Sequence, residues 1–170
     1  MKEVYFTTES LDSESEKILE KIIYLSKNRQ IDPEISSSVL LVLDMQEFFL
    51  NPVSHAFVPS APAIINGISE LILTFRKKNL PVIFTKHINN AENAGQMKTQ
   101  WNDLITISNP LSCIAPAIDV ESSKVIVKSQ YDAFYNTDLE KTLRSLGCKT
   151  VVICGLMTHL CCESTARSAF

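Results

Sequence analysis

Side chains capable of proton transfer or nucleophilic attack follow three segments that have the composition of buried strands. Asp44 and Lys128 directly follow the first and third of four such segments, and Gly155 follows the fourth and leads to Cys161. In a doubly wound parallel sheet, ligands bind outside the carboxyl ends of the strands, near a switch in strand order. We therefore expect Asp44, Lys128 and Cys161 to converge on one edge of the sheet.

Each of the three residues also has a common structural interpretation. An aspartate after a strand often caps a helix, a lysine at a strand end is often solvated, and a cysteine often fills the core. The segment 155–166 favours a functional role for Cys161. Its glycine permits a sharp exit from the strand, and a helix N-terminus favours a thiolate. The backbone N–H groups there can also hold an oxyanion.

Three spaced motifs, in this order, resemble the isochorismatase-like cysteine hydrolase superfamily. They are L-D-M-Q at residues 43–46, K-S-Q-Y-D-A-F at 128–134, and G-L-M-T-H-L-C at 155–161 followed by S-T-A at 164–166. The resemblance runs from about Val39 to the end of the chain. It implies a triad in which Asp44 takes the thiol proton, Lys128 supports the charges, and Cys161 attacks a carbonyl or nitrile-like carbon. Water then releases the product from the covalent intermediate.

The same resemblance implies further features of the turn that carries the cysteine. A non-proline cis peptide maps onto Leu156–Met157, and it places the N–H groups of Met157 and Cys161 at the oxyanion. Cys162 is a neighbouring thiol on a different side of the helix, but the spacing from Gly155 favours Cys161 as the nucleophile. The leading hypothesis is a hydrolase of a small amide, imide or related carbonyl compound.

Two rival functions remain open. The stretch 131–134 resembles that of isochorismatases, which cleave a vinyl ether and release pyruvate. Their position matching Cys161 is typically not cysteine, while a cysteine can occupy the place of Cys162, so Cys161 favours a cysteine hydrolase. The second rival is a non-catalytic binding or assembly module that keeps the fold, because fold alone does not guarantee function.

Aromatic and polar residues outside the motifs are candidates for the substrate pocket. Trp101, Tyr131 and Phe134 suit the wall of a pocket for a flat or apolar substrate, or else ordinary core and subunit contacts. Gln46 shares the side of Asp44 if the chain continues as a strand, and it would then orient the carboxylate or the substrate. His159 is expected to be a pocket wall.

No metal or cofactor is expected. Some members of the superfamily, the nicotinamidases, bind a metal through an Asp-x-His element and a further histidine. The histidines of this chain are His55, His87 and His159, and none of them lies in an Asp-x-His element. A tight site needs three or more converging ligands.

The elements that must position these residues alternate along the chain. The order β-α-β-loop-β-α-β, followed by a helix, predicts an α/β fold: a three-layer, Rossmann-like, doubly wound parallel sheet with helices on both faces. We assign residues 1–36 to an N-terminal arm and 37–170 to the hydrolase domain. Relatives usually continue with another strand and helix, so we expect the last strand and helix to be lacking here, either in a fragment or in a sheet closed by a partner chain.

Composition limits the class of protein and its partners. A net charge of −3, with 45% hydrophobic and 21% charged residues, is typical of a globular domain and predicts no nucleic-acid surface. No segment has the apolar core of a signal peptide or the roughly 20 apolar residues of a membrane span, which favours the cytoplasm. The five cysteines are expected to be free thiols. The expected partners are a small-molecule substrate and, from the resemblance, further copies of the chain.

Overall fold

Four strands form one parallel sheet in a computed structural model that describes residues 2–26, 33–101 and 103–170. The order across the sheet is β3-β2-β1-β4. Every side chain of β1 is buried, as its uninterrupted apolar sequence predicts for a strand covered on both faces. The strands are β1 (Ser38–Leu43), β2 (Val82–His87), β3 (Lys124–Lys128) and β4 (Thr150–Gly155).

Helices connect the strands and carry the apolar spacing seen in the sequence. In the predicted order β-α-β-loop-β-α-β, the helix between β1 and β2 is α3 and the helix between β3 and β4 is α5. The segment predicted as a loop between β2 and β3 contains a short α-helix, α4, and a 3-10 helix at Pro110–Ser112. The helices are α1 (Leu11–Ser26), α2 (Glu47–Leu50), α3 (Ile65–Lys77), α4 (Met97–Gln100), α5 (Leu139–Ser145) and α6 (Glu163–Ala169).

Alternate residues of β1 enter two separate hydrophobic clusters. Leu40 and Val42 pack in the cluster that includes the inner face of α3. Val39, Leu41 and Leu43 pack in the cluster that includes α5. Because side chains of a strand point alternately to opposite faces, helices cover both sides of the sheet, and the doubly wound α/β architecture is confirmed.

The strand order indicates which edge of the sheet binds ligands. The chain runs from β1 to β2 to β3 in one direction, and β4 then returns to the other side of β1. The order therefore reverses between β1 and β4. Residues that follow these two strands, Asp44 and the turn leading to Cys161, flank the crevice where such folds bind ligands.

The N-terminal segment lies partly against the domain. Lys2 Nζ donates to the carbonyl oxygens of His55 and Phe57, and the N–H groups of Tyr5 and Phe6 donate to Ser60 Oγ. The helix α1 follows, and residues 27–32 of the predicted arm lie outside the described residues. Within the described ranges no helix has the length and apolarity that crossing a membrane requires.

Candidate active site

The carboxyl ends of all four strands contribute to one buried cluster. Lys128 ends β3 and His87 ends β2, and the two residues are partners in the parallel register. Asp44 follows β1 with a φ of 51°, a left-handed backbone conformation that turns the chain sharply out of the strand. Cys161 lies in the turn after β4. The structure therefore brings Asp44, Lys128 and Cys161 together.

The carboxylate of Asp44 is held on both oxygens. Thr85 Oγ1 donates to Oδ1 over 2.6 Å, and the Asp44 N–H donates in turn to Thr85 Oγ1 over 3.2 Å. Oδ2 lies 2.7 Å from Lys128 Nζ, and both side chains are fully buried. A charged pair of this kind is fixed in place because separating it would leave an unpaired buried charge.

The ammonium of Lys128 lies between the carboxylate and the thiol. Besides Asp44, its Nζ donates to the carbonyl oxygen of Gln130 over 3.0 Å and to Cys161 Sγ over 3.4 Å. Burial works against the charge of Lys128, but the charge of Asp44 and the contact with Cys161 outweigh it, so the pKa of Lys128 is raised. Lys128 is therefore a permanent cation that touches both other members of the cluster.

Cys161 rests as a neutral thiol. Burial, followed by the charge of Asp44, raises its pKa to about 12, although Lys128 works in the opposite direction. A thiol in this state needs a proton acceptor before it can attack, and the carboxylate of Asp44 is the base beside it. The adjacent Cys162 is half-buried, and burial followed by Asp44 raises its pKa to about 11. Lys128 donates to Cys161 rather than to Cys162.

A tight turn connects β4 to the cysteine. Gly155 has a φ of +114°, and a Cβ at this position would lie 2.1 Å from the carbonyl oxygen of Leu43, so a side chain cannot be accommodated. The Leu156–Met157 peptide bond is cis. A π-helical turn, Thr158–Cys162, follows, and Cys162 N donates to the Met157 carbonyl over 3.2 Å. Cys161 is the buried residue of this turn.

An aromatic wall adjoins the cluster. The ring of Trp101 lies 5.4 Å from that of His87 and 6.1 Å from that of Tyr131, measured between ring centroids. Trp101 Nε1 donates to Tyr131 Oη over 3.1 Å. Phe134 instead packs with the hydrophobic cluster around α5 and lines a groove along β4. His159 is exposed in the π-helical turn.

Gln46 takes a different place from the expected one. The strand ends at Leu43, so Gln46 does not continue on the side of Asp44. Its amide Nε2 donates to the carbonyl oxygens of His87 and Ser112, and its Oε1 accepts from the His87 N–H over 2.7 Å. All its polar contacts in this network are to backbone, so Gln46 fixes the end of β2 rather than the carboxylate.

His87 is the residue of this cluster that sequence reasoning missed. The sequence offers His87 only as a possible metal ligand, yet it ends a strand at the same edge as the predicted residues. Asp44, His87 and Cys161 bring donor atoms within 4.8 Å of one another, a set that would suit a metal ion. Lys128 Nζ lies within 3.4 Å of Asp44 Oδ2, His87 Nδ1 and Cys161 Sγ, so the ammonium occupies the position of a cation among them.

Known proteins resemble this chain in both sequence and fold. Residues 38–170 match the model of the isochorismatase domain. The chain is 33% identical to nicotinamidase 3 of Arabidopsis thaliana over 149 residues, which are 85% of this chain and 71% of that protein.

Solved structures agree with this assignment. A cysteine hydrolase from Pseudomonas syringae pv. phaseolicola 1448A superposes with a TM-score of 0.75 at 28% identity, covering 81% of this chain and 67% of that one. N-carbamoylsarcosine amidase from Thermoplasma acidophilum gives a TM-score of 0.72 at 27% identity, covering 78% and 75%. The family match over most of the chain and these hydrolase structures lead to one conclusion: the chain belongs to the isochorismatase family and is a hydrolase of that family.

Proposed function

We propose that this hydrolase cleaves a small amide or related carbonyl compound by covalent cysteine catalysis. The observation that carries the proposal is the buried ammonium of Lys128, which contacts Asp44 Oδ2 and Cys161 Sγ together. A carboxylate, an ammonium and a thiol in mutual contact form a nucleophile with an adjacent base and a fixed counter-charge.

The proposed steps use these groups in turn. Asp44 takes the proton of Cys161, and the thiolate attacks the carbonyl carbon to form a tetrahedral oxyanion. The N–H groups of Met157 and Cys161 are the proposed donors to that oxyanion. Collapse breaks the C–N bond, the leaving amine takes the proton held by Asp44, and a thioester remains. Water, deprotonated by Asp44, hydrolyses the thioester and restores the thiol.

The wall beside the cluster favours a flat substrate. Trp101 and Tyr131 present aromatic rings that are held to each other by a hydrogen bond. Aromatic walls with a few polar groups are typical of small-molecule sites. The names of two similar proteins, a nicotinamidase and an N-carbamoylsarcosine amidase, support an amide as the substrate class.

A substrate panel tests the proposal. Small amides, including nicotinamide and N-carbamoylsarcosine, would be assayed for release of ammonia, and isochorismate for release of pyruvate. We expect amide turnover that Cys161→Ala abolishes and that Cys162→Ala, the matched control, leaves largely intact. Pyruvate release that survives Cys161→Ala would favour the isochorismatase reaction instead. A folded chain that turns over neither the amides nor isochorismate would favour a binding module.

We further propose that the enzyme works as a homo-oligomer in the cytoplasm. All five cysteines are free, which fits a reducing compartment. The support for oligomers is the family resemblance and an apolar groove beside β4, whose outer side pairs with no strand among the described residues. Sedimentation of the purified chain measures the oligomeric state.

A further inference from the structure

His87 contacts the site without a part in the proposed reaction. Its ring is fully buried, and its Nδ1 lies 3.3 Å from Lys128 Nζ. The ammonium therefore has four polar neighbours: Asp44, Gln130, Cys161 and His87. Because an ammonium has only three protons, the state of the fourth neighbour decides how they are shared.

Asn89 fixes which ring nitrogen of His87 carries the proton. The Ile105 N–H donates to Asn89 Oδ1 over 3.0 Å, so the amide nitrogen is turned toward the ring and lies 3.0 Å from His87 Nε2. An amide nitrogen donates and does not accept, so Nε2 must be the acceptor. A neutral imidazole has one proton, which is then on Nδ1 and faces the active site.

The lysine side of the contact is compatible with the same tautomer. Lys128 Nζ forms an ion pair with Asp44 Oδ2 and donates to the Gln130 carbonyl and to Cys161 Sγ. With these three partners the ammonium does not depend on an acceptor at Nδ1, so Nδ1 can carry its own proton. Burial, followed by the charge of Lys128, lowers the pKa of His87 to about 4, which keeps the ring neutral at neutral pH.

We propose that His87 is a positioning residue of this site: its neutral, Nδ1-protonated ring closes the fourth side of Lys128 and keeps the ammonium directed at Asp44, Gln130 and Cys161. An N–H group facing an ammonium is a repulsive contact, so this ring does not compete for the ammonium protons. An acceptor in the same place would compete with Cys161 Sγ, whose 3.4 Å contact is the longest of the three. This inference rests on the proposed Asp44–Lys128–Cys161 chemistry.

Two substitutions separate the donor at Nδ1 from the acceptor at Nε2. His87→Asn keeps an amide N–H near the place of Nδ1, whereas His87→Gln keeps an acceptor for Asn89 and removes the Nδ1 donor. We expect His87→Gln to slow iodoacetamide alkylation of Cys161 and to lower kcat about 10-fold, the scale of outer-shell partners, with KM little changed. His87→Asn should retain most of the Cys161 alkylation rate and of kcat. His55→Gln, at an exposed histidine, should change neither the alkylation rate nor kcat.

The experiment follows alkylation by peptide mass spectrometry, so that each thiol is read separately, and checks folding by thermal unfolding. In parallel, ¹⁵N NMR of the histidine-labelled chain reads the protonated nitrogen of His87, with His87→Asn as the assignment control. Protonation on Nε2, or a His87→Gln variant as reactive as the unmodified chain, overturns the inference. An unmodified chain that folds but turns over no substrate of the amide panel overturns the proposed function instead. If His87→Gln fails to fold, the NMR result still decides.

Discussion

At the scale of single residues, the site depends on a cation that is permanently out of water. Lys128 is buried together with its counter-ion Asp44. Removing one partner of such a pair destabilises a protein far more than replacing both partners with apolar residues, because it leaves a buried charge unpaired. The same charges set the state of the nucleophile. Asp44 raises the pKa of Cys161 while Lys128 lowers it, so the two neighbours have opposite effects on the thiol.

Asp44→Asn separates thiol reactivity from catalysis. Since Asp44 raises the pKa of Cys161, its removal should lower that pKa and speed alkylation at neutral pH. Amide turnover should instead fall about 100-fold or more, because the proton acceptor is lost. Peptide-resolved alkylation and ammonia release measure the two effects. Asp119→Asn, at an exposed carboxylate, is the control, and an unchanged or slower alkylation rate in Asp44→Asn would contradict the assigned charges.

Stability should depend on the protonation of His87. Its pKa falls from 6.5 in the unfolded chain to about 4 in the folded one, so between these values the unfolded state binds more protons. Stability therefore rises with pH across this window, and acidification from pH 6.5 to 4 should remove about 3 kcal/mol. Urea unfolding at several pH values measures the slope. His87→Phe should show a shallower slope, and an equal slope in both proteins would assign the effect to other groups.

At the scale of elements, the turn between β4 and α6 depends on a glycine at one position. We expect Gly155→Ala to lower the free energy of unfolding by about 2 kcal/mol or more, because its Cβ would overlap the backbone of Leu43. Gly67→Ala is the matched control. Nothing lies within 4 Å of a Cβ there, and within α3 alanine should stabilise by about 0.5–1 kcal/mol. Urea unfolding of both variants checks the opposite signs, and equal effects would disprove the steric explanation.

Strands and helices with a clear spacing of apolar residues could be predicted from the sequence, whereas local deviations from regular backbone geometry could not. The apolar run of β1 and the helical spacing of α3 identify their structures directly, and parallel strand ends predict where Asp44 and Lys128 meet. Gln46 was expected on the side of Asp44 only if the strand continued, and the strand instead ends at Leu43 because the backbone turns at Asp44. No residue pattern in the sequence predicts the positive φ of that aspartate. His87 was missed because a histidine at a strand end is equally common in cores, and only the register with Lys128 reveals its contact.

At the scale of the whole molecule, the two edges of the sheet differ. β3 forms one edge, and β4 forms the other, beside a groove of about 790 Å³. Within the described residues no strand pairs with the outer side of β4. The groove walls combine apolar side chains of α5, β4 and the end of the chain, including Leu143, Ile153 and Phe170. Apolar surface next to an open strand favours association between copies.

Phe170→Ser tests this surface. Phe170 lines the groove and is fully exposed, so its substitution should leave the fold intact and weaken the proposed self-association through this groove. Sedimentation velocity over a concentration series measures the effect. Ile107→Ser removes a similar apolar area at an exposed site outside the groove and should change nothing. If both variants self-associate as strongly as the unmodified chain does, the contact between copies lies elsewhere.

The π-helical turn gives the adjacent cysteines Cys161 and Cys162 a relation beyond their order in the chain. A π turn is one residue longer than the α turn it replaces, and such turns are frequent at functional sites. The extra residue of this turn lies in the segment that carries both cysteines. Deletion of a single residue between Met157 and Cys161 should remove it and change the direction in which the Cys161 side chain leaves the helix. The length of this segment, and not only the identity of its residues, would then set the position of the proposed nucleophile.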